Sequence, residues 1–277
     1  MKKLLNPKNL PLIVTFAGLI GFVIRMLSMG KGVDEAGLYP PATAAWIALW
    51  VLTTAVAVLI IFMTKPLSEN VKYNQNFPAS PVSAVGTLLG AVAICLAGWN
   101  SFTDSLDALG LLTGILGMGG GILLVMAAYA RLKGMKVNFL YHIVSCLFLA
   151  LRTFILSKEW SNVPQIGPFL FTFLFHVCAM LAIYQLCAFD VDLGKRRASL
   201  FWSLMTAYLC LVALPSSEDV LFCGCIAIWM LTNLCSLRPV KKRKPAAPRD
   251  SEPTAQAQMS SSDVSIDEIK SWLEEDN

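Results

Sequence analysis

Charge is what this chain has least of. Asp, Glu, Lys and Arg make up 14% of its 277 residues and hydrophobic residues 56%, a balance that excludes an ordinary soluble domain of this length. Catalytic signatures are lacking too. No HExxH places zinc and a base on a helix, no GxSxG elbow presents a nucleophile, no P-loop cradles phosphates, and no paired aspartates stand at the centres of apolar segments. The sequence therefore assigns no catalytic residue, no metal and no cofactor. Most connections between apolar segments are about a dozen residues or shorter, too short to hold a soluble catalytic domain.

Cysteine is scarce where it would matter for a secreted fold. All eight, Cys95, Cys146, Cys178, Cys187, Cys210, Cys223, Cys225 and Cys235, fall within apolar segments, so no disulfide framework is expected and they read as small apolar residues. Cys223 and Cys225 lie two apart, which on a helix turns them about 200° from each other and away from a shared metal.

What the chain has in abundance is apolar length. Eight stretches lie at about 11–29, 42–63, 82–102, 108–130, 138–157, 168–189, 199–215 and 219–237. Most approach the roughly 20 residues that cross a ~30 Å hydrocarbon layer at about 1.5 Å per residue; the seventh is the shortest. The expected fold is all-α: a polytopic integral membrane bundle of eight transmembrane helices over residues 1–237. A basic, Pro/Ala/Ser-rich disordered linker (238–262) and a short acidic amphipathic helix (263–277) follow.

Lys and Arg fall on alternate connections: Lys2, Lys3 and Lys8; Lys65 and Lys72; Arg131, Lys133 and Lys136; Lys195, Arg196 and Arg197; and the run from Arg238. The other set holds only Lys31 and Lys158, together with the acids Asp34, Glu35, Asp104, Asp107, Glu159, Glu218 and Asp219. Retention of basic loops in the cytoplasm then predicts eight crossings of a plasma (inner) membrane with both termini inside. The net charge of +4 averages a positive inner face and a negative outer one. It points to the lipid bilayer as partner and not to nucleic acid.

The first segment admits a second reading. Lys2 and Lys3, an apolar run and the triplet Ser28, Met29, Gly30 resemble a cleaved signal peptide. The run is long for that role and carries Arg25 near its end, so retention is expected.

Small residues recur at helical spacing. Ser83, Gly86, Gly90, Ala93 and Ala97 line one face of the third segment, and Gly110, Gly114, Gly117 and Gly121 one face of the fourth. Such faces let backbones approach closely in lipid, and the short link near Asp104 makes the two segments a tight antiparallel hairpin. The triplet Gly119, Gly120, Gly121 also admits a local helix break of the kind that builds transporter sites.

Two arginines lie inside apolar segments, Arg25 in the first and Arg152 in the fifth, each about 6 to 8 Å below the outer boundary by helix rise. Arginine at the centre of a membrane helix costs ~2.5–3.5 kcal/mol on insertion scales, less where it can snorkel to the interface. Both sit on small or polar faces, Arg25 above Ala17 and Gly21, Arg152 above His142, Ser145 and Leu149. This turns them inward, toward structural pairing with outer acids such as Asp34, Glu35, Asp104 or Asp107, or toward an anion pocket. The two histidines, His142 and His176, lie at depths differing by more than ~10 Å, too far for one metal. His176 with Thr172 and Tyr184 forms a candidate polar strip. Arg25, Arg152 and His176 are thus the candidate ligand-binding residues.

The tail carries its own signal. Ser265 and Glu268 have capping-box spacing, with Val264 and Ile269 at the staple positions. Ile266, Ile269, Trp272 and Leu273 form one apolar stripe on an acidic segment. Too short to hold alone in water, it is a candidate docking peptide for a cytosolic protein. Two function classes follow: a small permease-like or ligand-binding bundle for an anionic or lipid-like molecule, or a non-catalytic membrane anchor or sensor recruiting a partner through this helix. No internal four-plus-four repeat supports the first.

Overall fold

A computed structural model describes residues 9–29, 44–65, 72–104, 107–161, 169–216 and 219–237. The linker and tail helix, with Ile266, Ile269, Trp272 and Leu273, lie outside the described residues, as do Lys31, Asp34 and Glu35. Every described regular element is helical: α1 (Leu10–Met29), α2 (Ala44–Thr64), α3 (Tyr73–Asn76), α4 (Pro81–Asp104), α5 (Ala108–Lys133), α6 (Phe139–Trp160), α7 (Leu170–Asp190), α8 (Arg196–Ala213) and α9 (Val220–Ser236), with a 3-10 turn at Leu214–Ser216 after α8. Each expected apolar segment is a helix, and only the single-turn α3 was unforeseen.

Six of these helices, α1, α2, α4, α5, α6 and α7, are long and apolar enough to cross a membrane. Of the other two long helices, α9 is apolar but only 17 residues long, and α8 falls short of that measure for a physical reason. α8 packs against α1, α2, α7 and α9, so little of it can meet lipid, and it carries Ser199, Ser203, Thr206 and Tyr208 fully buried. Hydropathy reports lipid contact more than depth. With its 3-10 extension α8 reaches about 33 Å by helix rise, and α9 about 26 Å.

The packing order is a ring. α4 meets α5, α5 meets α6, and so on through α7, α8 and α9, which closes the circuit on α4; the α1–α2 hairpin packs on α8 from outside. The contact between α4 and α5 is the most extensive. On the α5 side it uses the expected glycine face, but the α4 face it meets carries Cys95 and Gly98, outside the expected series: a Cβ on Gly98 would lie 2.7 Å from the Gly117 backbone, and one on Gly121 2.7 Å from Cys95. The small face of α4, however, does not all serve this hairpin. Gly86 and Gly90 instead admit Thr232 and Trp229 of α9, and Ser83 donates to Asn233 at 2.7 Å. Nor does the glycine triplet break α5, which stays helical from Ala108 to Lys133.

Connections gather at the two ends. At one, Asp192, in the left-handed conformation (φ 59°) in the α7–α8 turn, accepts from the Tyr73 amide at 2.7 Å and from Lys136 Nζ at 2.5 Å. One carboxylate thereby ties the α2–α4, α5–α6 and α7–α8 connections together. Arg196 adds a bond to Asn76 at 3.1 Å. The Lys136 and Tyr73 bonds hold Asp192 below the usual carboxylate range. At the other end, residues near the α1–α2, α6–α7 and α8–α9 connections meet through Arg25 and Arg152.

Candidate functional site

Three helices turn one face each into the ring. α6 presents His142, Ser145, Leu149 and Arg152; α7 presents Thr172, His176, Ala179, Ile183, Leu186 and Asp190; α9 presents Asp219, Phe222, Ile226, Trp229 and Asn233. These steps of three and four residues are the period of one helical stripe. The stripes meet at both ends, and all three are apolar between.

At the end opposite Asp192, Arg152 pairs with Asp219, not with Asp104 or Asp107, and its guanidinium lies 5.0 Å from the Phe222 ring centre. His176 stacks on the same ring at 5.8 Å. Its Nδ1 donates to the Thr172 carbonyl at 2.8 Å, which makes Nε2 of the neutral imidazole a bare acceptor. That atom, Thr172 Oγ1 and Arg152 Nε are buried without hydrogen-bond partners. Donor and acceptor capacity is thus concentrated in one buried place. Tyr184 does not join this strip, since it is half exposed on the outer surface of α7.

Arg25 occupies a different seam. It is fully buried between α1, α2 and α7, with its guanidinium 4.5 Å from the Trp46 ring and 5.5 Å from Phe171. Arg25 is thus held inside the bundle, whereas Arg152 reaches Asp219, whose side chain is 42% exposed. The structure brings Arg152 and His176 together in the ring and sets Arg25 on the far side of α7, since neighbouring residues Phe171 and Thr172 point about 100° apart.

The end nearer Asp192 holds a second charged cluster that the sequence reading did not find. Arg131, counted there among loop cations, lies in the last turns of α5 and is 2% exposed. Its guanidinium sits 3.9 Å from the Phe77 ring and 5.1 Å from Tyr73, and Nε, Nη1 and Nη2 make no hydrogen bond. Asp190 is near enough to act on it electrostatically, yet is bonded elsewhere: His142 Nδ1 donates to Asp190 Oδ2 at 2.5 Å, both side chains at 1% exposure or less. Trp229 of α9 stacks over His142 at 6.3 Å. Asp190 Oδ1 and Trp229 Nε1 are further buried atoms without partners. Burial raises the Tyr73 phenol above its ordinary value against the opposing pull of Arg131, so it stays neutral.

Magnitudes show what is unusual here. Two aromatic faces supply about 0.5–2 kcal/mol each to a buried cation, whereas an ion's desolvation in a protein interior costs several. Tyr73 and Phe77 therefore offset only part of the cost of burying Arg131. Asp190, which acts on it electrostatically, keeps an open acceptor, so a small polar molecule carrying both an acceptor and a donor matches the two side chains.

No family model, curated protein or solved structure matches this chain. The site is therefore read from its own chemistry. The signal for the second cluster was present but divided: Asp190 closes an apolar segment, Arg131 opens a basic connection, and Tyr73 and Phe77 lie in a stretch with no periodicity. Only α3 and the extra turn of α5 bring them together.

Proposed function

We propose that this chain is a small permease for an anionic molecule, with the interior of the α4–α9 ring as its path. The observation that carries the reading is the presence of two arginine, histidine and aspartate clusters, one toward each end of the α6 and α7 stripes, with Arg131 joining the second from α5. They are about 15 Å apart along α6, from His142 to Arg152, by helix rise. Arg152 and Arg131 then act as outer and inner anion stations. Asp219 and Asp190 hold the guanidinium charges when no anion is present, which keeps binding weak enough for release. His176 Nε2 accepts a hydrogen bond from a hydroxyl or a protonated acid group on the same molecule. A carboxylate or phosphate bearing a donor fits that set.

The reading includes eight crossings with both termini cytoplasmic. The meeting of three Lys/Arg-bearing connections at Asp192, opposite the Arg152–Asp219 end, supports it through the charge asymmetry of the loops. Thermal stability of the purified protein against phosphate, acetate, succinate and lactate tests the ligand class. One class is expected to stabilise the wild type and to lose that effect in Arg152→Gln and Arg131→Gln. Stabilisation by none, or by all regardless of variant, would refute the reading.

The capping box at Ser265 and Glu268 supports a second role, recruitment of a cytosolic protein through Ile266, Ile269, Trp272 and Leu273. Copurification from crosslinked membranes, comparing the full chain with one ending at Arg249, tests it; a stoichiometric partner retained by the truncated chain would end it.

A further inference from the structure

The cluster nearer Asp192 holds one cation and one anion. Arg131 of α5, Asp190 of α7 and the neutral phenol of Tyr73 in α3 act on one another electrostatically, so a single guanidinium balances a single carboxylate. Both keep unused capacity: Nη1 and Nη2 of Arg131 and Oδ1 of Asp190 are buried without hydrogen bonds. The imidazole of His142 is attached to the same carboxylate, its Nδ1 donating to Oδ2 at 2.5 Å with both side chains buried. The remaining groups around this pair add no charge to it. Trp229 of α9 stacks over the imidazole, and the thiols of Cys146 and Cys187 donate to the Met180 and Phe139 carbonyls. Lys136 pairs with Asp192 at the surface, and Arg196 of α8 bonds Asn76.

We infer that this cluster takes up one proton with each monocarboxylate it binds, the carboxylate on Arg131 and the proton on Nε2 of His142. The inference rests on the anion reading of Arg131 and adds the stoichiometry and the kind of anion. Charge balance decides both. A monoanion on Arg131 sets two carboxylates against one guanidinium, and an uncompensated charge in a buried place is costly. A proton from solution on Nε2 makes His142 an imidazolium, turns its contact with Asp190 into a charge-assisted hydrogen bond, and leaves Arg131 to the incoming anion. Imidazole suits the task because its charge changes near neutral pH. Only the N–H bond forms, and it breaks again when the anion leaves. A dianion would need a second proton carrier, but His176, the chain's other histidine, lies with Arg152 at the opposite end.

Calorimetric titration of the detergent-purified full chain with lactate over a series of pH values tests it. Lactate stays ionised throughout, since such carboxyl groups titrate near pH ~3.5. One proton per anion makes Kd rise about tenfold for each pH unit above neutral. NMR of isotope-labelled histidine should show His142 changing from imidazole to imidazolium when lactate is added, with His176 unchanged; His142→Gln identifies the signal. In Asp190→Asn lactate alone balances Arg131, so the pH dependence should vanish, whereas Asp190→Glu should keep it. A pH-independent Kd in the wild type, a neutral His142 with lactate bound, or a slope that survives in Asp190→Asn would overturn the inference and leave the anion reading standing. Binding of phosphate without binding of lactate would do the same, and binding of neither would remove both. If Asp190→Asn does not fold, the wild-type slope and the His142 signal still decide.

Discussion

Replacing Asp190 with Asn removes the carboxylate that, among the described residues, acts on Arg131 while keeping side-chain volume and a hydrogen-bond acceptor for His142. Breaking a buried ionic arrangement by removing one partner costs about 3–5 kcal/mol, because the other charge is left uncompensated. Here the two aromatic faces at 3.9 and 5.1 Å remain and offset about 1–2 kcal/mol of that. A net loss of about 1–4 kcal/mol is expected. On the scaling of globular domains this lowers Tm by roughly 2–16 °C. Arg131→Met removes the charge and retains the apolar stem against Phe77 and Tyr73. Added to Asp190→Asn, it should recover most of the loss, since an apolar replacement of a buried charged set is often neutral or stabilising. The assay is a double-mutant cycle by thermal unfolding in detergent at fixed pH. A coupling of at least ~1.5 kcal/mol is expected. Additive effects of the two single substitutions, within about 0.5 kcal/mol, would refute the electrostatic account of the inner cluster.

Three further outcomes follow from particular contacts. Gly98→Ala should destabilise by about 1–3 kcal/mol, since its new Cβ meets the α5 backbone at 2.7 Å, whereas Gly119→Ala, with nothing within 4 Å, should be neutral or stabilising by up to ~1 kcal/mol; unfolding of the two variants side by side checks this. The stability difference between wild type and Asp192→Asn should be full above pH 3.8, the ordinary Asp value, and fade as pH falls through the lowered pKa of the folded carboxylate; a difference that instead grows on acidification would contradict the Asp192 tie. Trp272→Ala with Leu273→Ala should abolish crosslinked copurification of any tail-dependent cytosolic protein; unchanged recovery would remove the docking role.

The long helices were legible because lipid-facing positions demand apolar residues over a fixed length, and their ends lie within a few residues of the expected ones. Positions facing the ring were harder to read. Arg152 stood out because an arginine among apolar neighbours has few explanations, yet its partner Asp219 lies 67 residues away in sequence and no local pattern selects it over Asp104 or Asp107. Arg131 was hidden by the rule that reads basic residues beside a span as loop cations. That rule reports charge and cannot tell a solvated side chain from one turned back under Phe77. Likewise the face of Gly86 and Gly90 was visible, but not that it serves Trp229 and Thr232 of α9, because small-residue spacing names a close approach and not the partner.

The central claim is that the ring interior is a path and not only a core. Its most direct test is thiol accessibility in a chain whose native cysteines have been replaced. Leu149 and Ile226, both fully buried on the stretch between the clusters, are each replaced by Cys, as is Leu147, 50% exposed on the lipid-facing side of α6. A small anionic thiosulfonate is then added to membranes. The account predicts modification at 149 and 226, slowed by the stabilising anion, and none at 147, where a charged reagent does not enter lipid. Unreactive thiols at both interior positions would make the interior a sealed structural core and contradict the account.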